Sequence, residues 1–190
     1  MAQLFSRAAS VRLNVALLIV FVALPVIGSF GWWALYNSPL RTRRDIPIEQ
    51  PIFFSHKHHA GQLGIDCRYC HATVETSAFA GIPPIHTCMS CHSQVWRTAA
   101  MLEPVRAAWR TGIVLPWIRV NDLPQFTVFD HSIHVNRGVG CATCHGRVDQ
   151  MDVVAPAVTF DMRWCLKCHR QVARDDSQMK HLTDCVTCHR

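Results

Sequence analysis

The sequence predicts a mostly α-helical protein with extensive irregular structure, standing behind one N-terminal transmembrane helix. Three observations predict it. From Leu13 to Tyr36 the chain carries no charged residue, a run of 24 positions. All ten cysteines fall into five Cys-x-x-Cys-His motifs. The part after the apolar run and its flanks leaves about 145 residues for those motifs, roughly 29 each, too few for five separate apolar pockets.

The apolar run comes first. Its length spans a bilayer with some tilt, and Trp32, Trp33 and Tyr36 crowd one end as interfacial aromatics do. Pro25 and Gly28 are tolerated in a lipid-facing helix. A cleaved signal peptide would have a shorter apolar core followed by small residues; the bulky exit argues for an uncleaved single-pass anchor. Arg7 and Arg12 precede the span and Arg41, Arg43 and Arg44 follow it, so basic residues alone leave orientation open. The expected division is residues 1–12 ahead of the span, 13–36 in the membrane and 37–51 as an extended tether. Pro39, Pro47 and Pro51 forbid a continuous helix in that tether.

The motifs are Cys67–Cys70–His71, Cys88–Cys91–His92, Cys141–Cys144–His145, Cys165–Cys168–His169 and Cys185–Cys188–His189. This spacing attaches c-type haem: two thiols add across the vinyl groups, and the adjoining histidine reaches the iron. Zinc is the rival, because Cys-x-x-Cys is also a zinc half-site. Zinc sites need half-sites in pairs, and five is odd. Zinc also requires no histidine after each second cysteine. With His at 12 of 190 positions, chance would place it there five times with odds of about one in a million. Five covalently bound haem c groups are expected, with no disulfide, and the macrocycles must supply much of the core. The formal charge of +6 falls to about +1 once five ferric haems with ionised propionates add about −5. The arginines then suit propionates, and no basic patch interleaved with aromatics points to nucleic acid.

An internal repeat follows the tether. Phe54-Ser-His56-Lys-His58-His59 precedes Cys67, and Phe129-Asp-His131-Ser-Ile-His134 precedes Cys141, both reading Phe-x-His-x-x-His. The chain therefore holds a two-haem module at 52–95 and a three-haem module at 127–190, joined by a haem-free connector at 96–126. Two histidines three apart share a helix face yet diverge enough to address different irons. The first of each copy is expected to ligate the haem of its own module and the second to reach a neighbour. His56, His59, His131 and His134 thus join the motif histidines His71, His92, His145, His169 and His189 as axial ligands. The tenth ligand is open among Met151, Met162 and His181, with Met101 less favoured and Met89 hindered inside a motif. His58 and His86 are read as serving local hydrogen bonds or propionates. In the connector, Val95, Ala99, Leu102, Val105 and Trp109 give a helical period over 93–110, which Pro104 kinks or restarts. Residues 111–124 read as apolar, extended and proline-punctuated, either packing the modules together or docking a partner.

Several local patterns carry a wider resemblance: Phe-Ser-His-Lys-x-His with Gly-Ile-Asp-Cys-Arg-Tyr-Cys-His, Ile-Pro-Pro before Cys-Met-x-Cys-His, Phe-x-His-Ser-Ile-His-Val-Asn-x-Gly-Val-Gly-Cys, Arg-Val-Asp-Gln-Met and Trp-Cys-Leu-x-Cys-His-Arg. From about residue 52 onward the chain resembles the pentahaem subunit of bacterial alternative complex III. The resemblance implies a haem-packed multihaem cytochrome c of class III or c7-like modules, in the periplasm behind an anchor in the cytoplasmic membrane, N-terminus inside. It implies an electron-transfer subunit with no substrate site of its own. Its partners would be quinol-oxidising membrane subunits, an iron–sulfur subunit, a monohaem cytochrome and a periplasmic electron acceptor. Two other readings are weaker. A nitrite- or hydroxylamine-converting enzyme needs an iron with an open position, whereas histidines here are plentiful. A stand-alone membrane quinol dehydrogenase cytochrome of the small multihaem type usually hugs its anchor, whereas 30 residues separate Tyr36 from Cys67.

Overall fold

Ser6 opens the chain's first helix by accepting a hydrogen bond from the Ala9 N–H at 3.2 Å. The computed structural model describes residues 6–189; residues 1–5 of the segment expected on the cytoplasmic side lie outside the described residues. The chain divides into two units, Met1–Arg43 and Arg44–Arg190.

The first unit is α1 (Arg7–Tyr36) and a short α2 (Pro39–Thr42). The 30 residues of α1 make a rod of about 45 Å, longer than the roughly 30 Å of bilayer hydrocarbon. None of its apolar window is buried, unlike the core helix of a globular domain. A π-turn at Ile19–Ala23 stands immediately before Pro25. Proline lacks an N–H and crowds the carbonyl four residues back, and the wider turn relieves both. The Asn37 amide donates to the Trp33 carbonyl at 2.7 Å and the Ser38 hydroxyl to the Leu35 carbonyl at 2.8 Å, closing the helix. The Arg41 guanidinium lies 4.2 Å from the centre of the Tyr36 ring.

The second unit is a set of short helices joined by turns, with no strand among the described residues beyond an isolated bridge of Thr127 with His189. Its helices are α3 (Lys57–Gln62), α4 (Cys67–Cys70), α5 (Ile85–His92), α6 (Glu103–Thr111), α7 (His131–Asn136), α8 (Cys141–His145), α9 (Met162–Val172), α10 (Asp176–Thr183) and α11 (Cys185–Cys188). Every Cys-x-x-Cys segment is thus helical. Helices this short do not persist alone, and local caps hold them: the carboxylates of Asp66, Asp130, Asp161, Asp175 and Asp184 accept from N–H groups at the starts of α4, α7, α9, α10 and α11. The Ile-Pro-Pro turn ends with Pro84 extended as the residue before α5.

The connector departs from the helix expected over 93–110. α6 begins only at Glu103, after a 3-10 turn at Ala100–Leu102. Pro104 occupies the first turn of α6, where its missing N–H costs nothing because that donor has no partner within a helix. Pro104 therefore starts a helix rather than kinking one. Glu103 accepts from Arg106 at 2.9 Å and Arg110 at 2.6 Å. Val105 and Ala108 are buried, while Trp109 is 51% exposed. Gly112 ends the helix with φ of 71°, a left-handed position that favours glycine.

The segment 44–51 runs along other parts of the second unit. The Asp45 N–H donates to the Pro156 carbonyl at 2.8 Å and the Ile48 N–H to the Val154 carbonyl at 3.1 Å. Gln50 grips Ile118 at both ends, Nε2 to its carbonyl at 3.0 Å and its N–H to Oε1 at 2.9 Å. Among the described residues the buried apolar side chains are Ile52, Val74, Val105, Ala108, Ala155 and Pro156. A unit of this length ordinarily packs a continuous apolar core. Here hydrogen bonds between turns carry much of the polypeptide's own organisation.

Candidate metal centres

The two copies of Phe-x-His-x-x-His adopt the same side-chain arrangement. Phe54 stacks on His59 with ring centres 4.4 Å apart, and Phe129 stacks on His134 at 4.5 Å. Phe54 meets His56 edge-on at 4.8 Å and 87°, and Phe129 meets His131 at 4.9 Å and 88°. Each phenylalanine thus fixes two imidazoles at right angles to one another. The second histidine of each copy is tied to the carbonyl four residues back, His59 Nδ1 to Ser55 at 2.9 Å and His134 Nδ1 to Asp130 at 2.7 Å.

The same use of Nδ1 extends through the motif histidines. His71 Nδ1 donates to the Gly81 carbonyl at 2.6 Å, His92 to Val95 at 3.2 Å, His169 to Leu182 at 2.8 Å and His189 to Phe126 at 3.2 Å. His131 Nδ1 donates to the Ala78 carbonyl at 2.7 Å. A carbonyl partner places the proton on Nδ1 and leaves Nε2 as the lone-pair donor, the form in which histidine binds metal. Gly81 owes its place to two demands: φ of 79°, and a close approach in which a Cβ would lie 2.7 Å from Thr73 Oγ1.

His145 is held differently. Its Nδ1 lies 3.0 Å from Asn121 Nδ2, while Asn121 Oδ1 is buried without a partner. Turning the amide over makes Oδ1 the acceptor for His145 Nδ1–H and satisfies that oxygen. Burial, then the neighbouring His131 and His71, hold His145 below its ordinary pKa. His56 is pushed down to about 4, first by burial and then by His71 and His59, and its buried Nδ1 has no partner. Neutral imidazole, the ligand form, is favoured at both.

Three pairs of rings then face each other, each one repeat histidine and one motif histidine. His59 and His92 have centres 6.2 Å apart at 72°, His131 and His145 6.2 Å at 5°, and His134 and His169 6.1 Å at 20°. Imidazoles on opposite sides of one metal ion, each nitrogen about 2 Å from it as in zinc sites, have ring centres about 6 Å apart. The pairs match that separation. The ring stacked on His189 is Phe126, at 5.9 Å.

None of the ten cysteines is joined in a disulfide. Burial raises the pKa of Cys67, Cys70, Cys88, Cys144 and Cys165, each helped by a neighbouring thiol. No group of three or more His, Cys, Asp or Glu side chains gathers as a metal cage among the described residues. Paired thiols on a helical turn, a following histidine with Nε2 free and a second imidazole opposite fit covalently attached haem c.

The other sequence candidates are dispersed. His58 Nδ1 meets Gln62 Oε1 at 2.9 Å and stacks on Trp96 at 6.1 Å, a local role. His86 and His181 are exposed. Met101 lies exposed in the connector turn, Met162 exposed at the start of α9, and Met151 half-buried in the turn that receives α3. Sequence reasoning missed Asn121, which sits 24 positions before its partner in a stretch without motif. It also missed the carbonyls of Ala78, Gly81, Val95, Phe126 and Leu182, because a backbone acceptor leaves no mark on residue identity.

The family model described as cytochrome c7 and related cytochrome c matches residues 127–190. The chain is 32% identical over 173 residues to the menaquinone reductase, multiheme cytochrome c subunit, of Nitratidesulfovibrio vulgaris (strain Hildenborough), across 88% of this chain and 71% of that one.

Proposed function

The chain belongs to the family of multihaem cytochrome c subunits that includes this relative, and on that premise we propose that it is a membrane-anchored pentahaem electron relay in a quinol-linked complex. It has no substrate site of its own. α1 holds it in the bacterial cytoplasmic membrane with the N-terminus inside and the residues beyond Tyr36 in the periplasm. Residues 52–95 form a two-haem module, 96–126 the connector and 127–190 a three-haem module.

Each pair of motif cysteines would hold one haem c through thioethers, with the motif histidine as one ligand of its iron. The second position falls to His56 for the first motif, His59 for the second, His131 for the third and His134 for the fourth. That assignment follows the expectation of a first histidine for a haem of its own module and a second for a neighbouring haem. For the fifth, Met151, Met162 and His181 remain the candidates. A bound haem supplies a one-electron ferric–ferrous couple, and two protein ligands leave no open position for small-molecule chemistry. The protein's residues do the rest. Nδ1–H bonds set each ring's tautomer and raise its donor strength, and Phe54 and Phe129 fix ring orientation. The observation that carries this reading is the three ring pairs at 6.1 to 6.2 Å, each joining a repeat and a motif histidine.

Two directions of flow suit such a subunit. The resemblance to alternative complex III implies electrons leaving quinol through an iron–sulfur partner for a periplasmic acceptor. The relative's name, a menaquinone reductase subunit, favours electrons entering from the periplasm and ending on menaquinone in a membrane partner. Purification of the tagged chain in mild detergent tests both. Copurifying membrane and iron–sulfur subunits support the complex. Haem reduction by a quinol supports the first direction, and menaquinone reduction from a periplasmic donor the second. A chain that purifies alone and is itself reduced by quinol would instead be a stand-alone quinol dehydrogenase cytochrome.

A further inference from the structure

The two copies of the repeat pack on each other's modules rather than on their own. In α7 the Ser132 N–H donates to the Ser77 carbonyl at 3.2 Å, and in α3 the Lys57 N–H donates to the Met151 carbonyl at 3.0 Å. Lys57 and Ser132 each follow the first histidine of their repeat, and Ser77 and Met151 each lie six residues past the motif histidines His71 and His145. The Asn136 amide donates to the Glu75 carbonyl at 3.0 Å. Gly61, at the matching place in the first copy, sits so close to the Asp149 carbonyl that a Cβ would collide with it. Glu75 and Asp149 both lie four residues past their motif histidines. The helix ahead of each half's first motif therefore rests on the turn behind the other half's first motif, an exchange with approximate two-fold symmetry.

The exchange brings the first and third motifs together at its centre: the His131 ring, which pairs with His145 of the third motif at 6.2 Å, donates through Nδ1 to the Ala78 carbonyl, seven residues past His71 of the first. Outward on one side, Tyr69 of the first motif meets Ser90 of the second at 3.1 Å, hydroxyl to hydroxyl. Outward on the other, Phe160 contacts His145 at 6.3 Å and Trp164, beside Cys165, at 5.4 Å, leading from the third motif to the fourth. From the fourth, His169 Nδ1 donates to the Leu182 carbonyl at 2.8 Å. Thr187 inside the fifth motif donates to the His181 carbonyl at 2.8 Å, so α10 links the two.

We infer from this reciprocal packing that the five attachment motifs lie in space in the order second, first, third, fourth, fifth. The order rests on the pentahaem reading. Its consequence is that conduction does not follow the chain. Electrons pass between the two modules through the first and third haems, and the haems of the second and fifth motifs are the two ends at which redox partners exchange electrons.

The test uses the full-length holoprotein in detergent micelles, fully reduced so that its low-spin haems are diamagnetic. Haem protons are assigned to each motif through nuclear Overhauser effects to the thioether cysteine protons. Contacts between the first and third haems are expected, with none between the second and third. Contacts between the second and third, without contacts between the first and third, would overturn the order. Carbodiimide coupling gives a second reading by mass spectrometry. Lys57 Nζ lies 3.5 Å from Asp152 Oδ2, and a Lys57–Asp152 crosslink is expected; Lys57 coupling only to acidic residues of its own module would count against the exchange. Intact mass separates this from failure of the underlying reading: fewer than five haems would refute the pentahaem assignment, whereas five haems with second-to-third contacts would refute the order alone.

Discussion

His58 and His59 are adjacent in the chain, and the structure gives them opposite roles, which makes them a matched pair of perturbations. His59 has its ring hydrogen bond to the Ser55 carbonyl and its stack on Phe54; His58 has its bond to Gln62 and its stack on Trp96. Replacing either by alanine removes one hydrogen bond, about 1 kcal/mol, and one aromatic contact, about 1 kcal/mol. The His58 loss is the smaller because its hydrogen bond is exposed and water can replace it. Both variants should therefore fold, with melting temperatures lower by up to about 4–8 °C. Of the two, His59 stands 6.2 Å from His92, the separation expected of two rings on one iron. His59→Ala should therefore turn one haem iron in five from low spin to high spin, read by electron paramagnetic resonance of the oxidised protein. The low-spin signal it removes should be the most anisotropic, because the His59 and His92 planes stand 72° apart while the other two pairs are at 5° and 20°. His58→Ala should leave every low-spin signal in place. A high-spin signal from His58→Ala with His59→Ala silent would refute the pairing and the three-residue spacing argument with it.

Three further outcomes follow from the same geometry. The intact mass of the detergent-extracted protein should exceed the polypeptide by about 3 kDa, five haems; zinc in place of iron, or fewer than five haems in mature protein, would sink the central claim. Asn121→Ala removes the polar partner of His145 Nδ1, and losing about 1 kcal/mol that favours the ferric state should raise one midpoint by about 40 mV in a potentiometric titration, with haem content unchanged. Trp109→Glu changes the exposed face of α6 while Val105 and Ala108 stay packed, so if this face docks the iron–sulfur partner, haem count should hold while the subunit's affinity for its complex drops about tenfold or more. Loss of haem with normal assembly of the surviving protein would mark the connector as internal.

What could be read from the sequence were the features whose physics is local or covalent. Thiol spacing within a motif is set by the two vinyl groups that it must reach, so Cys-x-x-Cys-His announces its chemistry wherever it stands. The apolar run of α1 needs no partner to be recognised, because length and composition alone mark a helix able to cross a bilayer. The shared pattern around Phe54 and Phe129 was legible because each phenylalanine touches histidines two and five residues away. Pro104 shows the limit even locally: periodicity ran through it, whereas its place in a first turn depended on where α6 could begin. The tertiary structure decided the rest. Asn121 reaches His145 across a turn with no motif, and the carbonyls that orient seven rings are present at every residue and hence invisible in any one. The meeting of the first and third motifs depends on backbone contacts between residues 55 and 94 positions apart, Ser132 with Ser77 and Lys57 with Met151. A hydrogen bond between main-chain atoms carries no side-chain signature, so the order of the redox centres is a property of the folded chain alone.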